Sequence, residues 1–222
     1  MSRIVVLASG GVKTAVAATV VGKGNELTLF HADFGQPSAE TERACVHELA
    51  RSLAAAKVLG LDLPHVGQLR GDSSAPADRI TTSPADYFGL LPMLLSVAME
   101  SAQRVGATSV VTGFSRFCDA AHLGLFGAGG RVEGMPEFIH SFNVMIDSLY
   151  PRGSRVSVDA PLMDMNYSDV VRLGRHLGAP LEATWTCRQR GPRPCGRCEP
   201  CKARSAAFEE NVAPSEESVK AG

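Results

Sequence analysis

No apolar run in this chain approaches the roughly 20 residues that a membrane-spanning helix needs. Internal repeats are missing as well, which excludes solenoids and other arrays. Charge of one sign is not in excess. The formal net charge is −1 over 222 residues, so no global field draws nucleic acid to the surface. A signal-like start is also lacking: Met1-Ser2-Arg3 leads into an apolar run that ends by Ser9, too short and wrongly flanked for a signal peptide. The expectation is a cytoplasmic protein with neither a membrane nor a nucleic acid as partner. What remains is ordinary for a globular chain with a substantial core, 45% hydrophobic and 20% charged. Its length suits one large domain, or one domain with a small appendage.

Cysteines are few, but four of the six are clustered: Cys187, Cys195, Cys198 and Cys201. Seven residues separate the first two, and two residues fill each later gap. Thiolates on such short tethers can converge on one ion and complete the tetrahedral shell of a closed, structural zinc site. Pro194, Gly196 and Pro200 suit the tight turns such a loop requires. An iron–sulfur cluster is the rival, because Cys-x-x-Cys-x-x-Cys also occurs in ferredoxin-type sites. Disulfides are the weaker alternative for clustered cysteines in a cytosolic setting.

Along the chain, strand and helix patterns alternate. Ile4 to Ala8 is a short apolar run, rich in β-branched residues, as a strand buried on both faces should be. Helix is expected over Thr14 to Val21, Glu40 to Lys57, Leu91 to Val105 and Ser168 to Leu177. Further strands are expected over Leu27 to Ala32 and Ser109 to Thr112. Asn166 and Asp169 form a candidate capping box for the last helix, with Gly178 as its stop. This alternation argues for an α/β fold, a parallel sheet covered by helices on both faces. Three stretches break the pattern: about 60–86, 114–137 and everything after Ala183. Long loops of this kind are usually functional lids or disordered. The polar, acidic end from Asn211 to Gly222 is expected to fray.

The first strand runs directly into Ser9-Gly10-Gly11-Val12-Lys13-Thr14. A strand turning through two glycines into a helix aims backbone N–H groups and a positive helix end at one point, and phosphate is the usual anion there. Ser9 and Thr14 add hydroxyl donors. The glycine spacing fits neither the Walker pattern nor the dinucleotide fingerprint. The second strand ends in Asp33-Phe34-Gly35-Gln36, which a parallel sheet would place beside the glycine loop, where ligands of open α/β sheets bind. Asp33 there suits a ribose hydroxyl or a metal, and Phe34 suits a base. The plainer alternative is a strand-end turn with a core phenylalanine. Arg188, Arg190, Arg193, Arg197, Lys202 and Arg204 give the cysteine loop positive charge, opposed mainly by Glu199. This charge suits phosphate, RNA or a second subunit, or simply a solvated loop. Cys118, Asp119 and His122 in the 114–137 stretch read as a small buried thiol and solvated loop residues.

Taken together, these segments resemble a known family. Ser9-Gly10-Gly11 after an N-terminal strand is similar to the PP-loop of ATP pyrophosphatases, usually Ser-Gly-Gly-x-Asp-Ser. Asp33-Phe34-Gly35-Gln36 resembles the Asp-Tyr-Gly-Gln segment of the 7-cyano-7-deazaguanine synthases of queuosine biosynthesis. Pro136-Glu137-Phe138-Ile139, Ala160-Pro161-Leu162 and Val170-Val171-Arg172-Leu173-Gly174 resemble segments of the same family. Most specific is Pro180-Leu181-Glu182-Ala183-Thr184-Trp185-Thr186-Cys187, continuing to Cys195-Gly196-Arg197-Cys198-Glu199-Pro200-Cys201-Lys202-Ala203-Arg204. The resemblance implies a Rossmann-like domain over 1–183, a zinc-binding region over 184–210 and a flexible tail over 211–222. It implies an ATP-dependent ligase with magnesium, turning 7-carboxy-7-deazaguanine and ammonia into a nitrile through an acyl-adenylate. It further implies a structural zinc, a deazapurine carboxylate or analogue as substrate, and a homodimer. Ser9, Gly10, Gly11 and Thr14 would hold the phosphates. The wider nucleotide set adds Val12, Lys13, Asp33, Phe34, Gln36 and Gly113, and no catalytic residue is assigned.

Three positions depart from the family pattern. Lys13 stands where the PP-loop has aspartate, a charge reversal that removes a possible magnesium ligand. Phe88-Gly89-Leu90-Leu91 replaces a typical Pro-Gly-Arg-Asn segment. Tyr167 and Ser168 stand where a lysine usually precedes the helix. The departures suggest a divergent member. Two alternatives therefore accompany the ligase: a weakly active or non-catalytic zinc protein of the same fold, and a PP-loop RNA thiolase with an iron–sulfur cluster.

Overall fold

A computed structural model describes residues 1–63, 90–115, 134–149 and 156–211. The element order is β1 (Arg3–Leu7), α1 (Val12–Gly22), β2 (Glu26–Asp33), α2 (Ala39–Ser52), β3 (Lys57–Asp62), α3 (Leu90–Arg104), β4 (Ser109–Val111), α4 (Gly134–Leu149), β5 (Ser157–Asp159), α5 (Tyr167–Leu177), a 3-10 turn (Leu181–Ala183) and α6 (Glu199–Glu210). The strands form one five-stranded sheet in the order β3-β2-β1-β4-β5. All four pairings are parallel, with Ile4 opposite Leu27 on one side and Ser109 on the other.

The central place of β1 follows from its side chains. Ile4 and Val6 enter a core with α1, α2, α5 and α6, whereas Val5 enters a second core with α3 and α4. Val5 and Val6 are both fully buried, which only a strand covered on both faces permits. Leu27 and Leu29 on β2 face the first core, and Phe30 and Ala32 the second. The expected apolar strand, the helices on both faces and the parallel sheet are all present.

Several boundaries differ from expectation. The helix expected to reach Lys57 ends at Ser52. Leu53-Ala54-Ala55-Ala56 favours helix locally, but Ala54 adopts φ 49° and reverses the chain. Ala56 N–H then donates to Leu27 O at 2.9 Å and begins the pairing of β3 with β2. Tertiary pairing overrides local propensity here. β3, α4 and α6, which lie in or beside the stretches that break the pattern, were not expected, and neither was β5, a strand of three residues of which only Val158 is buried. Asn211 was expected to fray, yet its side-chain amide donates to Ser168 O at 3.0 Å and to Ala207 O at 2.8 Å. The remainder of that tail, most of the 60–86 and 114–137 stretches, Phe88, Gly89, Cys118, Asp119 and His122 lie outside the described residues. No helix among the described residues is long and apolar enough to cross a membrane.

Candidate functional site

The carboxyl edge of the sheet gathers the chemistry. After β1 the chain turns through Gly10, at φ +72°, into α1. A Cβ on Gly10 would lie 2.8 Å from Glu42 O and 3.0 Å from Cys45 Cβ, so the turn runs tight against α2. Gly11 is the N-cap of α1 in extended geometry, and no side chain caps the helix there. Ser9 Oγ and Thr14 Oγ1 lie 3.1 Å apart across the turn. Val12 is buried in the first core, so only its backbone is available to a ligand. Lys13 reaches towards α5, its Nζ lying 5.9 Å from the Tyr167 ring centroid. Gly113, just beyond β4, backs the turn from the other side. A Cβ there would lie 2.8 Å from Lys13 C and 2.9 Å from Thr14 N. Gly113 thus lets two backbones meet.

The turn after β2 is braced internally. Asp33 Oδ1 accepts from Gly35 N–H at 3.0 Å, and Arg43 donates to Asp33 Oδ2 at 3.2 Å while also pairing with Asp62. Gln36 Oε1 accepts from Phe34 N–H, and its amide donates to Ala32 O and to Glu42 Oε2. Ser38 donates to the other Glu42 oxygen at 2.6 Å. Phe34 packs at the margin of the second core. Gln36 therefore acts chiefly as a strut, and the plainer reading of Phe34 describes its packing here.

The four sulfurs of Cys187, Cys195, Cys198 and Cys201 all lie within 4.8 Å of one another. Cys187 Sγ accepts backbone N–H groups from Gln189 and Cys195, each at 3.3 Å. The N–H groups of Arg197 and Cys198 hold the Cys195 thiol down to about 6. Burial, with Cys198 beside it, pushes Cys201 up to about 12. Burial likewise raises Cys187. Four such sulfurs cannot all be ionised without a cation between them, and their cluster could hold a metal ion of that charge.

The cysteine loop is tied to the glycine turn. Trp185 N–H donates to Gly10 O at 2.8 Å, and a Cβ on Gly11 would lie 3.5 Å from Trp185 O. Trp185 packs with Cys187 and Cys201, and Cys45 of α2 joins the cluster. Arg204 on α6 fixes the lead-in segment, donating to Thr184 Oγ1, Thr186 Oγ1 and Leu181 O. Its guanidinium also lies 4.7 Å from the Phe208 ring centroid. Between these parts opens a cavity of about 240 Å³, lined by Thr184, Trp185, Thr186, Cys187, Cys201 and Arg204 among others. Sequence reasoning missed Glu42 and Cys45 as neighbours of the turn, since nothing local marks them on an amphipathic helix. Arg204 was legible as the last residue of the family-like cysteine segment and as one of its charges, but its bonds to the lead-in were not. Of the remaining loop cations, Arg190 lies 3.8 Å from Glu40.

A five-stranded parallel sheet with a glycine turn after its central strand and a metal-competent cysteine loop defines a PP-loop-type α/β protein. A family model described as queuosine biosynthesis protein QueC matches residues 3–212. The chain belongs to that family. It is 31% identical over 228 residues to the 7-cyano-7-deazaguanine synthase of Methanothrix thermoacetophila, covering 95% of each chain. The synthase of the same name from Halobacterium salinarum is 30% identical over 211 residues, covering 93% of this chain and 91% of the relative. In fold the chain is similar to the U34-tRNA thiolase NcsA from Methanococcus maripaludis, solved with its 4Fe-4S cluster, at a TM-score of 0.54 and 12% identity. That match covers 94% of this chain but 64% of the thiolase, and concerns the fold alone. Homologues named as synthases support the ligase reading, and neither alternative is better supported.

Proposed function

We propose that this chain is an ATP-dependent ligase of the 7-cyano-7-deazaguanine synthase type. The observation that carries the reading is the Trp185 N–H to Gly10 O bond, which joins the cysteine loop to the glycine turn as one wall. A carboxylate substrate seated against that wall meets the α-phosphate of an ATP whose outer phosphates lie on residues 9–14. Its oxygen attacks the α-phosphorus and pyrophosphate leaves, giving an acyl-adenylate. Ammonia displaces AMP to form the amide. The amide oxygen then attacks the α-phosphorus of a second ATP, pyrophosphate leaves, and loss of AMP with two protons yields the nitrile. The protein orients the reactants and neutralises charge. In this reading residues 1–183 form the nucleotide domain, 184–210 form the metal-bearing wall and 211–222 follow as a tail. Cytoplasmic location and a homodimer belong to the same reading.

The metal in this reading is one zinc ion. Four thiolates at about 2.3 Å from one tetrahedral ion stand about 3.8 Å apart, compatible with sulfurs all within 4.8 Å of one another. A four-iron cluster with one thiolate per iron requires them farther apart. The donor set supports zinc, which would hold the loop in shape and leave the chemistry to ATP.

A second reading, phosphate binding with weak turnover of the family substrate, draws on particular residues. Lys13 replaces an acid, and Leu90 and Leu91, which stand where the family carries a polar pair, are buried. A steady-state assay with 7-carboxy-7-deazaguanine, ammonia and ATP separates the two. AMP and nitrile formation that needs all three substrates is the expected outcome. Nucleotide binding without AMP release would leave only the second reading.

A further inference from the structure

Alternation along β2 puts His31 on the same face as Leu27 and Leu29, which enter the first core. Its imidazole is 2% exposed, about as deeply buried as those leucines. An apolar residue would suit that face better, because a buried ring has two nitrogens to satisfy. One of them finds a protein partner. Nδ1 lies 2.9 Å from Ala8 O, whereas the buried Nε2 meets no protein donor or acceptor. A carbonyl oxygen only accepts, so Nδ1 carries a hydrogen and donates it. The fold thus keeps a half-satisfied ring in a buried face for one bond, and departures of that kind concentrate at functional positions.

That bond falls at the last residue before the glycine turn. Ala8 is buried, and its N–H donates to Phe30 O at 2.7 Å. Among the described residues no backbone N–H donates to Ala8 O, so His31 is what holds this carbonyl. A trans peptide points its C=O and the next N–H to opposite sides, and no peptide bond among the described residues is cis. Fixing Ala8 O on the ring therefore fixes the Ser9 N–H away from it. The Trp185 N–H does the same two residues later, where its bond to Gly10 O sets the Gly11 N–H. Neither donor, Ser9 N–H or Gly11 N–H, pairs with a backbone acceptor among the described residues. A buried carbonyl deprived of its donor turns to find another, and the Ser9 N–H would swing with it.

We propose that His31 is a positioning residue for the anion: its Nδ1–H, acting through Ala8 O, aims the Ser9 N–H at a bound phosphate. The ring itself touches no ligand. The inference rests on residues 9–14 being a phosphate site, and it deepens that reading by naming what holds one of the donors in place beforehand. The test is calorimetry of the intact, metal-loaded protein with pyrophosphate, beside urea unfolding of each variant. His31→Leu fills the volume without a donor and should weaken pyrophosphate binding by roughly tenfold. His31→Asn places an amide nitrogen where Nδ1 stood and should restore affinity to within about threefold of wild type. A folded His31→Leu protein with unchanged affinity would make the ring purely structural and overturn the inference, whatever its urea midpoint. His31→Asn as weak as His31→Leu would overturn it too, since the shape of the ring and not its donor would then matter. A measurement on the wild-type protein needs no variant to fold: nitrogen-15 spectra of the imidazole should show hydrogen on Nδ1 with and without pyrophosphate. A ring protonated on Nε2 alone cannot donate to Ala8 O, and finding it would sink the inference. Wild-type protein that binds no pyrophosphate would remove the phosphate site itself, and the inference with it.

Discussion

The glycine turn and the cysteine loop meet through one hydrogen bond, yet different forces order them. The turn is clamped by covalent neighbours and packing: Ala8 N–H donates to Phe30 O, α2 crowds Gly10, and Gly113 backs Lys13 and Thr14. Those contacts exist whatever ligand is present, so the turn is preorganised for the anion that the proposed reading places there. The cysteine loop has little comparable support. Gly191, Arg193, Pro194, Gly196 and Arg197 contribute little to any core, and the sulfurs themselves accept the local N–H groups. In the zinc reading its shape depends on an ion. In the proposed reading one region is rigid before binding and the other becomes so through binding, and the Trp185 bond to Gly10 couples the two.

The largest expected effect comes from removing that ion. Structural zinc contributes on the order of 10–16 kcal/mol to the folding of small zinc peptides. The sheet here has its own core, so the loss should stay local. Cys198→Ser should lower bound metal from one equivalent to none by elemental analysis. Far-ultraviolet circular dichroism should stay close to wild type, while limited proteolysis should cut within residues 187–198. Pyrophosphate affinity should fall as well, because the Trp185 contact loosens. Iron in place of zinc, or a disulfide among the four cysteines, would sink the assignment. Unchanged pyrophosphate affinity in the metal-free variant would show the two loops to be uncoupled.

A change at Gly10 tests the opposite member of the pair. Its φ of +72° costs a residue with a side chain about 1–2 kcal/mol. The added Cβ would also sit 2.8 Å from the Glu42 carbonyl oxygen, a backbone atom that cannot rotate away. Gly10→Ala should therefore cost roughly 2–4 kcal/mol in urea unfolding, with zinc content retained. A loss below about 0.5 kcal/mol would mean that the turn adjusts freely and is not preorganised.

Much of this was legible in the sequence, and the reasons are physical. β1 announced itself because burial on both faces leaves no room for polar residues at Ile4, Val5 and Val6. The cysteine set was legible because metal ligation constrains spacing. The capping box of α5 was read from Asn166 and Asp169, and both of its bonds are present. β3 was not legible. An edge strand with a glycine in its middle carries a weak pattern, and the alanines before it favour helix. Neither was α6, since the charges after Cys198 resembled a continuing loop. The contact of Lys13 with Tyr167 joins residues 154 positions apart in the chain, and no local pattern encodes such a pairing.

The smallest expected effect compares two helix starts on the same edge. α5 is closed by side chains: Asp169 N–H donates to Asn166 Oδ1 at 2.8 Å, and Asn166 N–H donates to Asp169 Oδ2 at 3.4 Å. α1 begins at Gly11 with no such cap. Asn166→Ala should therefore cost about 1 kcal/mol in urea unfolding. Gly11→Asn should do the reverse. Gly11 has extended geometry, and the nearest atoms to an added Cβ are Ser9 Oγ at 3.4 Å and Trp185 O at 3.5 Å, so the side chain has room. The new amide oxygen would accept N–H groups of the first turn and stabilise the fold by about 0.3 kcal/mol. It would also occupy donors that the anion needs, weakening pyrophosphate binding by roughly tenfold. Gain of stability with loss of affinity is what an open helix end kept for a ligand should give. If Gly11→Asn stabilised the fold and left pyrophosphate affinity intact, the uncapped start of α1 would be a matter of packing at Trp185 and not of phosphate binding.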